Sequence, residues 1–216
     1  MASDKKQVLS DSEIDMLQEL LNISFGRAAA ELAEIIDIFL RIQNPRVICL
    51  DACELAETIR ISIPDFNFSS LVEQHFHGGL QGTALLVFPQ GSDQELLSYF
   101  QNFDSRVMEQ DSLFELEKEV LMEIGNILMG ACLGNLFKLL KYPVRFFPPR
   151  LNTGNFLDDV FNNEILPPDQ KVLAMKTGFQ FEDRNIAGEL YIFVHKSGVE
   201  DLRTALKDFW ETYDVQ

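Results

Sequence analysis

The sequence predicts an α+β protein with a pseudo-twofold internal duplication, its strands largely antiparallel and two long helices packed on the sheet. Three observations lead there. A helical apolar stripe near the N-terminus returns 104 residues later, where Leu17, Leu21, Phe25, Ala28, Leu32 and Ile35 are answered by Leu121, Gly125, Met129, Cys132, Leu136 and Leu139. A strand returns as well, Gly82-Thr-Ala-Leu-Leu-Val-Phe resembling Gly188-Glu-Leu-Tyr-Ile-Phe-Val at an offset of 106. The order helix, strand, irregular connection, strand pair, helix then occurs twice, and a repeated order of elements is the mark of a duplicated unit.

The first helix is expected from about Asp11 to Leu40, because apolar positions recur there at three-four spacing; Ser10, Asp11 or Ser12 can cap it, and Glu13 follows Ser10 at the capping-box interval. A strand near Val47–Leu50 and a short helix near Ala52–Arg60 follow. Alternating and β-branched residues predict a strand pair over roughly Asp65–Phe76 and Leu80–Phe88, turning at Gly78-Gly79. Ser92 opens a short helix running to Phe100. In the second half the pattern predicts a helix from about Ser112 to Lys141, a strand over Val144–Phe147 and an irregular stretch over Asn152–Asp169. Strands over Val172–Glu182 and Ile186–His195 lead to a closing helix over Gly198–Trp210. Two repeats, about 10–105 and 112–212, are read as a single domain, with a flexible N-terminus over residues 1–9.

Composition narrows the function. Eighteen basic against 34 acidic residues give a net charge of -16, a surface that repels nucleic-acid phosphates and anionic lipid. No unbroken apolar run reaches the roughly 20 residues that cross a bilayer, and no apolar signal core follows Met1-Ala-Ser-Asp-Lys-Lys, so a cytoplasmic protein is expected. Cys49, Cys53 and Cys132 lie in apolar contexts and read as reduced thiols; they form no zinc set. His75 and His77 share a strand face without partners that complete a site, and Phe146-Phe147-Pro-Pro reads as packing.

The chemistry lies beside the apolar stripes. Asp15, Glu19, Asn22 and Gly26 are spaced four, three and four apart, one line along a helix, and Glu119, Glu123, Asn126 and Gly130 repeat it 104 residues on. Pro45 follows Asn22 after 22 intervening residues, and Pro149 follows Asn126 after the same number. One Glu-x-x-Asn is an ordinary stretch of solvated helix. Two in register with two helices and two prolines form a pattern, and asparagine is mildly unfavourable inside a helix.

The pattern Asp/Ser-x3-Glu-x2-Asn-x22-Pro resembles the signature of the CheC/CheX/FliY phosphatases of bacterial and archaeal chemotaxis. Asp15, Glu19, Asn22 and Pro45 match each fixed position; Glu123, Asn126 and Pro149 match, with Glu119 where Asp or Ser is usual. Leu21 stands where the family, and the second copy at Gly125, often has glycine. The resemblance runs from about Ser10 to Trp210, and the two motifs favour the CheC type. It implies a CheC-like fold and hydrolysis of the aspartyl phosphate of a CheY-like response regulator. Asn22 and Asn126 would each orient the attacking water, while Glu19 and Glu123 would pair with the regulator's lysine. It also implies no cofactor of its own, Mg2+ being held by the regulator, and a CheD-type deamidase as a second partner. Two alternatives stand beside it: a non-catalytic adaptor binding the phosphorylated regulator, as flagellar switch proteins resemble this fold, and a scaffold whose repeat is purely structural.

Overall fold

A computed structural model of the protein describes residues 8–36, 39–62, 69–92, 94–96, 110–153, 171–182 and 186–213. The elements run α1 (Asp11–Ile36), β1 (Leu40–Ile42), β2 (Arg46–Asp51), α2 (Ala52–Ser62), β3 (Ser70–Gly78) and β4 (Gly82–Phe88) in the first half. They continue α3 (Gln110–Leu139), β5 (Val144–Phe146), β6 (Arg150–Thr153), β7 (Lys171–Phe181), β8 (Ala187–Val194) and α4 (Lys196–Tyr213).

Among the described residues, eight strands form one antiparallel sheet with the order β1-β7-β8-β4-β3-β5, β2 lying further along β7 and β6 further along β3. The order reads alike from either edge. Each hairpin, β3–β4 or β7–β8, carries at its outer edge the two short strands of the other half of the chain. The hairpins meet where β4 pairs with β8. Neither half covers its own outer edge, because each edge is covered by residues about 70 to 140 positions away, and one continuous sheet results.

The sheet is covered on both faces. Helices α1, α3 and α4 bury Leu17, Leu21, Phe25, Leu128, Leu136 and Leu206 against Val72, Leu86, Met175 and Ile192. On the opposite face α2 places Ala52, Leu55 and Ile59 against Leu85, Val87, Tyr191 and Phe193. Strand β4 is therefore buried at every position, which explains its unbroken apolar run. Phe76–Phe137 and Phe88–Phe179 meet edge to face, each with ring centroids 5.5 Å apart, in a core rich in phenylalanine. Within Glu115–Leu139 the most apolar 18-residue window has a mean hydropathy of 1.5, enough by length and composition for a bilayer; 56% of that window is buried inside the protein, so core packing accounts for its apolarity.

Several boundaries differ from the sequence expectation. Leu40 belongs to a strand, because residues 40–42 pair with Phe179–Phe181 instead of extending the helix. Asn152 and Thr153, at the start of the stretch expected to be irregular, complete the strand Arg150–Thr153, drawn onto the free edge of β3. Leu9 is only 1% exposed and the Val8 carbonyl accepts from Arg203 at 2.6 Å, so residues 8 and 9, expected to be flexible, are held against the fold. The expected turn holds at Gly78, where φ is +144° and an added Cβ would lie 2.2 Å from the Pro143 carbonyl oxygen. The expected strand residues 65–68, most of the helix after Ser92 and most of the Asn152–Asp169 stretch lie outside the described residues.

Candidate functional site

Two polar lines run along α1 and α3. On α1 the side chains of Asp15, Glu19 and Asn22, and Gly26 beyond them, are exposed, while Leu17, Leu20, Leu21 and Phe25 between them are buried. Glu119, Glu123 and Asn126 are exposed on α3 and Gly130 is half-buried, with Leu121, Ile124, Leu128 and Met129 turned to the sheet. The separation follows from the 3.6-residue period: a step of three or four stays on one face, and the residues between rotate inward. No described residue is hydrogen-bonded or ion-paired to Glu19 or Glu123, so both carboxylates face solvent.

Among the described residues, nothing packs against the glycines on these lines: a Cβ built on Gly26 or on Gly130 would meet nothing within 4 Å. Each costs its helix about 1 kcal/mol relative to alanine, and no packing contact with a described residue recovers that.

The lines differ in their support. At the second, the buried Gln74 on β3 donates from Nε2 to Asn126 Oδ1 at 2.9 Å and to the Phe147 carbonyl at 3.0 Å, while its own Oε1 meets no donor. In β7 the hydroxyl of Thr177 donates to the Gln43 carbonyl at 2.6 Å, and Gln43 stands 104 residues before Phe147. Thr177 thus anchors its loop but makes no hydrogen bond to α1, and no described residue is hydrogen-bonded to the Asn22 carboxamide. Helix α3 comes close to the sheet at Gly125, where an added Cβ would lie 2.7 Å from Val72 Cγ1. Leu21, at the matching place on α1, is completely buried, so it packs beneath the polar line and does not crowd Glu19 or Asn22.

Pro45 and Pro149 lie in the connections β1–β2 and β5–β6, which run beside the motif helices. The Val47 amide donates to Gln18 Oε1 at 3.2 Å, tying the first connection to α1. The helices cross beyond the motifs: Asn135 Nδ2 donates to Glu31 Oε2 at 2.9 Å, two residues themselves 104 apart. Asn22 lies nine residues before Glu31, about 14 Å along the helix at 1.5 Å per residue. The two asparagines therefore lie well away from the crossing, each on its own helix.

The start of α1 has the expected capping box. The Ser10 amide donates to Glu13 Oε2 at 2.7 Å and the Glu13 amide donates to Ser10 Oγ at 3.3 Å. Arg203 of α4 also pairs with Glu13 at 3.2 Å. Burial pushes the Glu13 carboxyl up, but the Ser10 hydrogen bonds and Arg203 outweigh it and hold the group below its ordinary value. Beside this cap lies a groove of about 1060 Å³ between α1 and α4, lined by Met16, Glu19, Leu20, Ile23, Phe209 and Trp210.

The histidines have more company than the sequence indicates. His75 is 3.2 Å from Glu73 and shares Thr83 Oγ1 with His195, at 2.9 and 3.4 Å, while the His77 ring meets Phe147 at a tilt of 39°. Among the described residues no group of three or more His, Cys, Asp or Glu side chains has the geometry of a metal site. Cys132 is buried, and burial alone pushes its thiol pKa far up; Cys49 is half-buried. Gln74 escaped the sequence reading, although there was a signal: strand alternation puts it with Val72 and Phe76 on the apolar face, where a polar side chain needs a partner.

No family model matches the chain. A curated relative, the flagellar motor switch phosphatase FliY of Bacillus subtilis, is 24% identical over 166 residues, 77% of this chain and 42% of its own length. The chain thus spans less than half of that relative. The crystal structure of Thermotoga maritima FliY superposes with a TM-score of 0.70 at 22% identity, covering 94% of this chain and all of that one. The chain is thus similar in sequence to FliY and similar in fold to FliY and CheX. FliM from the FliM–SpeE complex of H. pylori has the same fold at a TM-score of 0.66 and 10% identity, covering 93% of this chain and 97% of its own. CheX from the CheX–CheY–BeF3–Mg2+ complex of Borrelia burgdorferi follows at 0.51 and 16%, covering 82% and 98%. FliY, FliM and CheX therefore share this fold.

Proposed function

We propose that this protein is a cytoplasmic phosphatase for the aspartyl phosphate of a CheY-like response regulator, with one composite site on each of α1 and α3. The observation that carries this reading is the pair of exposed Glu-x-x-Asn lines, each continuing to a glycine with open space around it. A bare helix line of that kind suits insertion into a partner's active site. The glycines let a partner backbone come close, and the carboxylate and carboxamide project beside it. The likeness to FliY, and the presence of CheY with BeF3 and Mg2+ in the Borrelia CheX complex, support the choice of partner. We read the two halves as copies of one ancestral unit, which explains why both lines lie 104 residues apart.

In this mechanism Glu19 or Glu123 pairs with the regulator's active-site lysine in a charge-assisted contact that sets the docking angle. Asn22 or Asn126 holds a water in line with the phosphorus; a neutral carboxamide does this without repelling the phosphoryl oxygens. The water oxygen bonds to phosphorus as the acyl oxygen–phosphorus bond breaks. The electron pair leaves with the aspartate carboxylate and both water protons remain on the phosphate, so an acyl phosphate dianion plus water gives carboxylate plus dihydrogen phosphate. Positioning and charge neutralisation carry such a transfer. Mg2+ would belong to the regulator, and a CheD-type deamidase is a further partner we propose from the family resemblance.

A second reading, a phospho-regulator adaptor without turnover, draws on the FliM fold likeness. The experiment that separates the two measures phosphate release from a phosphorylated CheY-like regulator. Wild type should exceed the regulator's own decay, and Asn22→Ala with Asn126→Ala should return the rate to that decay. An unchanged rate in the double variant sinks the catalytic reading, whereas binding without any acceleration in wild type favours the adaptor.

A further inference from the structure

We infer that Gln74 is a positioning residue that fixes the carboxamide of Asn126 with its nitrogen outward, so that the second site presents a preorganised hydrogen-bond donor and the first does not. The inference rests on the phosphatase reading above and refines its second site.

The argument begins with an atom of fixed character. The Phe147 carbonyl oxygen can only accept, and Gln74 lies 3.0 Å from it, so the nitrogen of the Gln74 amide must face that oxygen. The same nitrogen lies 2.9 Å from the Asn126 side chain, and its second hydrogen needs an acceptor. Asn126 must therefore turn Oδ1 inward, which leaves its own NH2 facing solvent. One backbone carbonyl thus sets the orientation of two amides in series. Gln74 is 1% exposed, and its Oε1 is left without a donor. An unsatisfied buried oxygen is a cost, and the two bonds donated by the Gln74 nitrogen offset it.

The loop anchor alone does not require glutamine. In the other hairpin Thr177 makes the corresponding bond to the Gln43 carbonyl with a short hydroxyl. Glutamine supplies the additional reach to the helix, and with it the hold on Asn126. An outward NH2 can donate to one lone pair of a water and leave the other lone pair for the phosphorus. Asn22 has no such tie among the described residues and must be oriented by the docked regulator.

The test uses the full chain in two single-site backgrounds, Asn22→Ala and Asn126→Ala, with Gln74→Thr placed in each to copy the anchor of the other half. Steady-state phosphate release from a phosphorylated CheY-like receiver is followed. In the Asn22→Ala background Gln74→Thr should lower kcat about fivefold, the worth of one ordinary hydrogen bond, with KM little changed. In the Asn126→Ala background it should change neither. The Asn126 side-chain amide NMR signal, assigned by its loss in Asn126→Ala, should shift in Gln74→Thr, which a purely structural role elsewhere would not cause. Should Gln74→Thr fail to fold, Gln74→Glu has the same size but cannot donate to two acceptors, and the same drop in kcat is expected. Equal kcat values in Asn22→Ala with and without the Gln74 substitution, both above the regulator's own decay, overturn the inference and leave the phosphatase reading standing. Asn22→Ala alone falling to that decay overturns both for this site.

Discussion

Two glycines five residues apart on α3 should respond to the same substitution with opposite signs. Gly125→Ala places a methyl 2.7 Å from Cγ1 and 3.0 Å from Cβ of Val72, on a strand residue with no exposed surface. Val72 is β-branched and enclosed, so it cannot swing away, and α3 must lift from β3. Overpacking of this kind costs about 1–3 kcal/mol, against a gain of about 1 kcal/mol in helix propensity. The net expectation is a loss of roughly 0–2 kcal/mol. Gly130→Ala meets nothing within 4 Å and keeps only the gain, about 1 kcal/mol of added stability. For a chain of 216 residues each kcal/mol moves Tm by about 2–4 °C. Calorimetry should therefore find Gly130→Ala melting above wild type and Gly125→Ala at or below it. If both variants rise together, α3 does not approach the sheet as closely as described, and the account of why Gly125 lies beneath the motif is wrong.

Three further outcomes follow from other parts of the fold. Ser10→Ala removes the reciprocal bonds with Glu13 at the start of α1 and should destabilise the protein by about 1 kcal/mol in urea titration; no change would mean that Arg203 alone holds this end. The His195 pKa is lowered by burial and then by the neighbouring His75. Its contribution to stability should be fully present above the unfolded value near 6.5 and fall away as pH drops below that, because the unfolded chain then takes up the proton more readily. His195→Asn should flatten the stability profile between about pH 7 and 5. Finally, the Cys132 thiol, 1% exposed with its pKa raised by burial, should resist a thiol reagent in the native protein and react once it is unfolded in urea; rapid native labelling of Cys132 contradicts the packing of α3.

What the residues alone determined is what repeats with a period. The three-four stripe from Leu17 to Leu32 sets which side of α1 is buried, so the exposure of Glu19 and Asn22 follows from their offset to that stripe, and the same holds for Glu123 and Asn126. The Ser10–Glu13 cap was legible because its chemistry is completed within a few residues, and the Gly78 turn because adjacent glycines mark a backbone conformation that other residues rarely adopt. Tertiary structure decided everything that depends on chain segments far apart. Which short strand completes which hairpin could not be read, since β2 pairs with β7 and β6 with β3 across the two halves. Leu40–Ile42 and Arg150–Thr153 are strands only because a free edge waits for them. The difference between the two Glu-x-x-Asn lines belongs to this second kind. In sequence they are near copies; in the fold one asparagine is held by Gln74, 52 residues away, and the other is not. A hydrogen bond between distant segments exists only once packing has brought them together, and no local pattern encodes it.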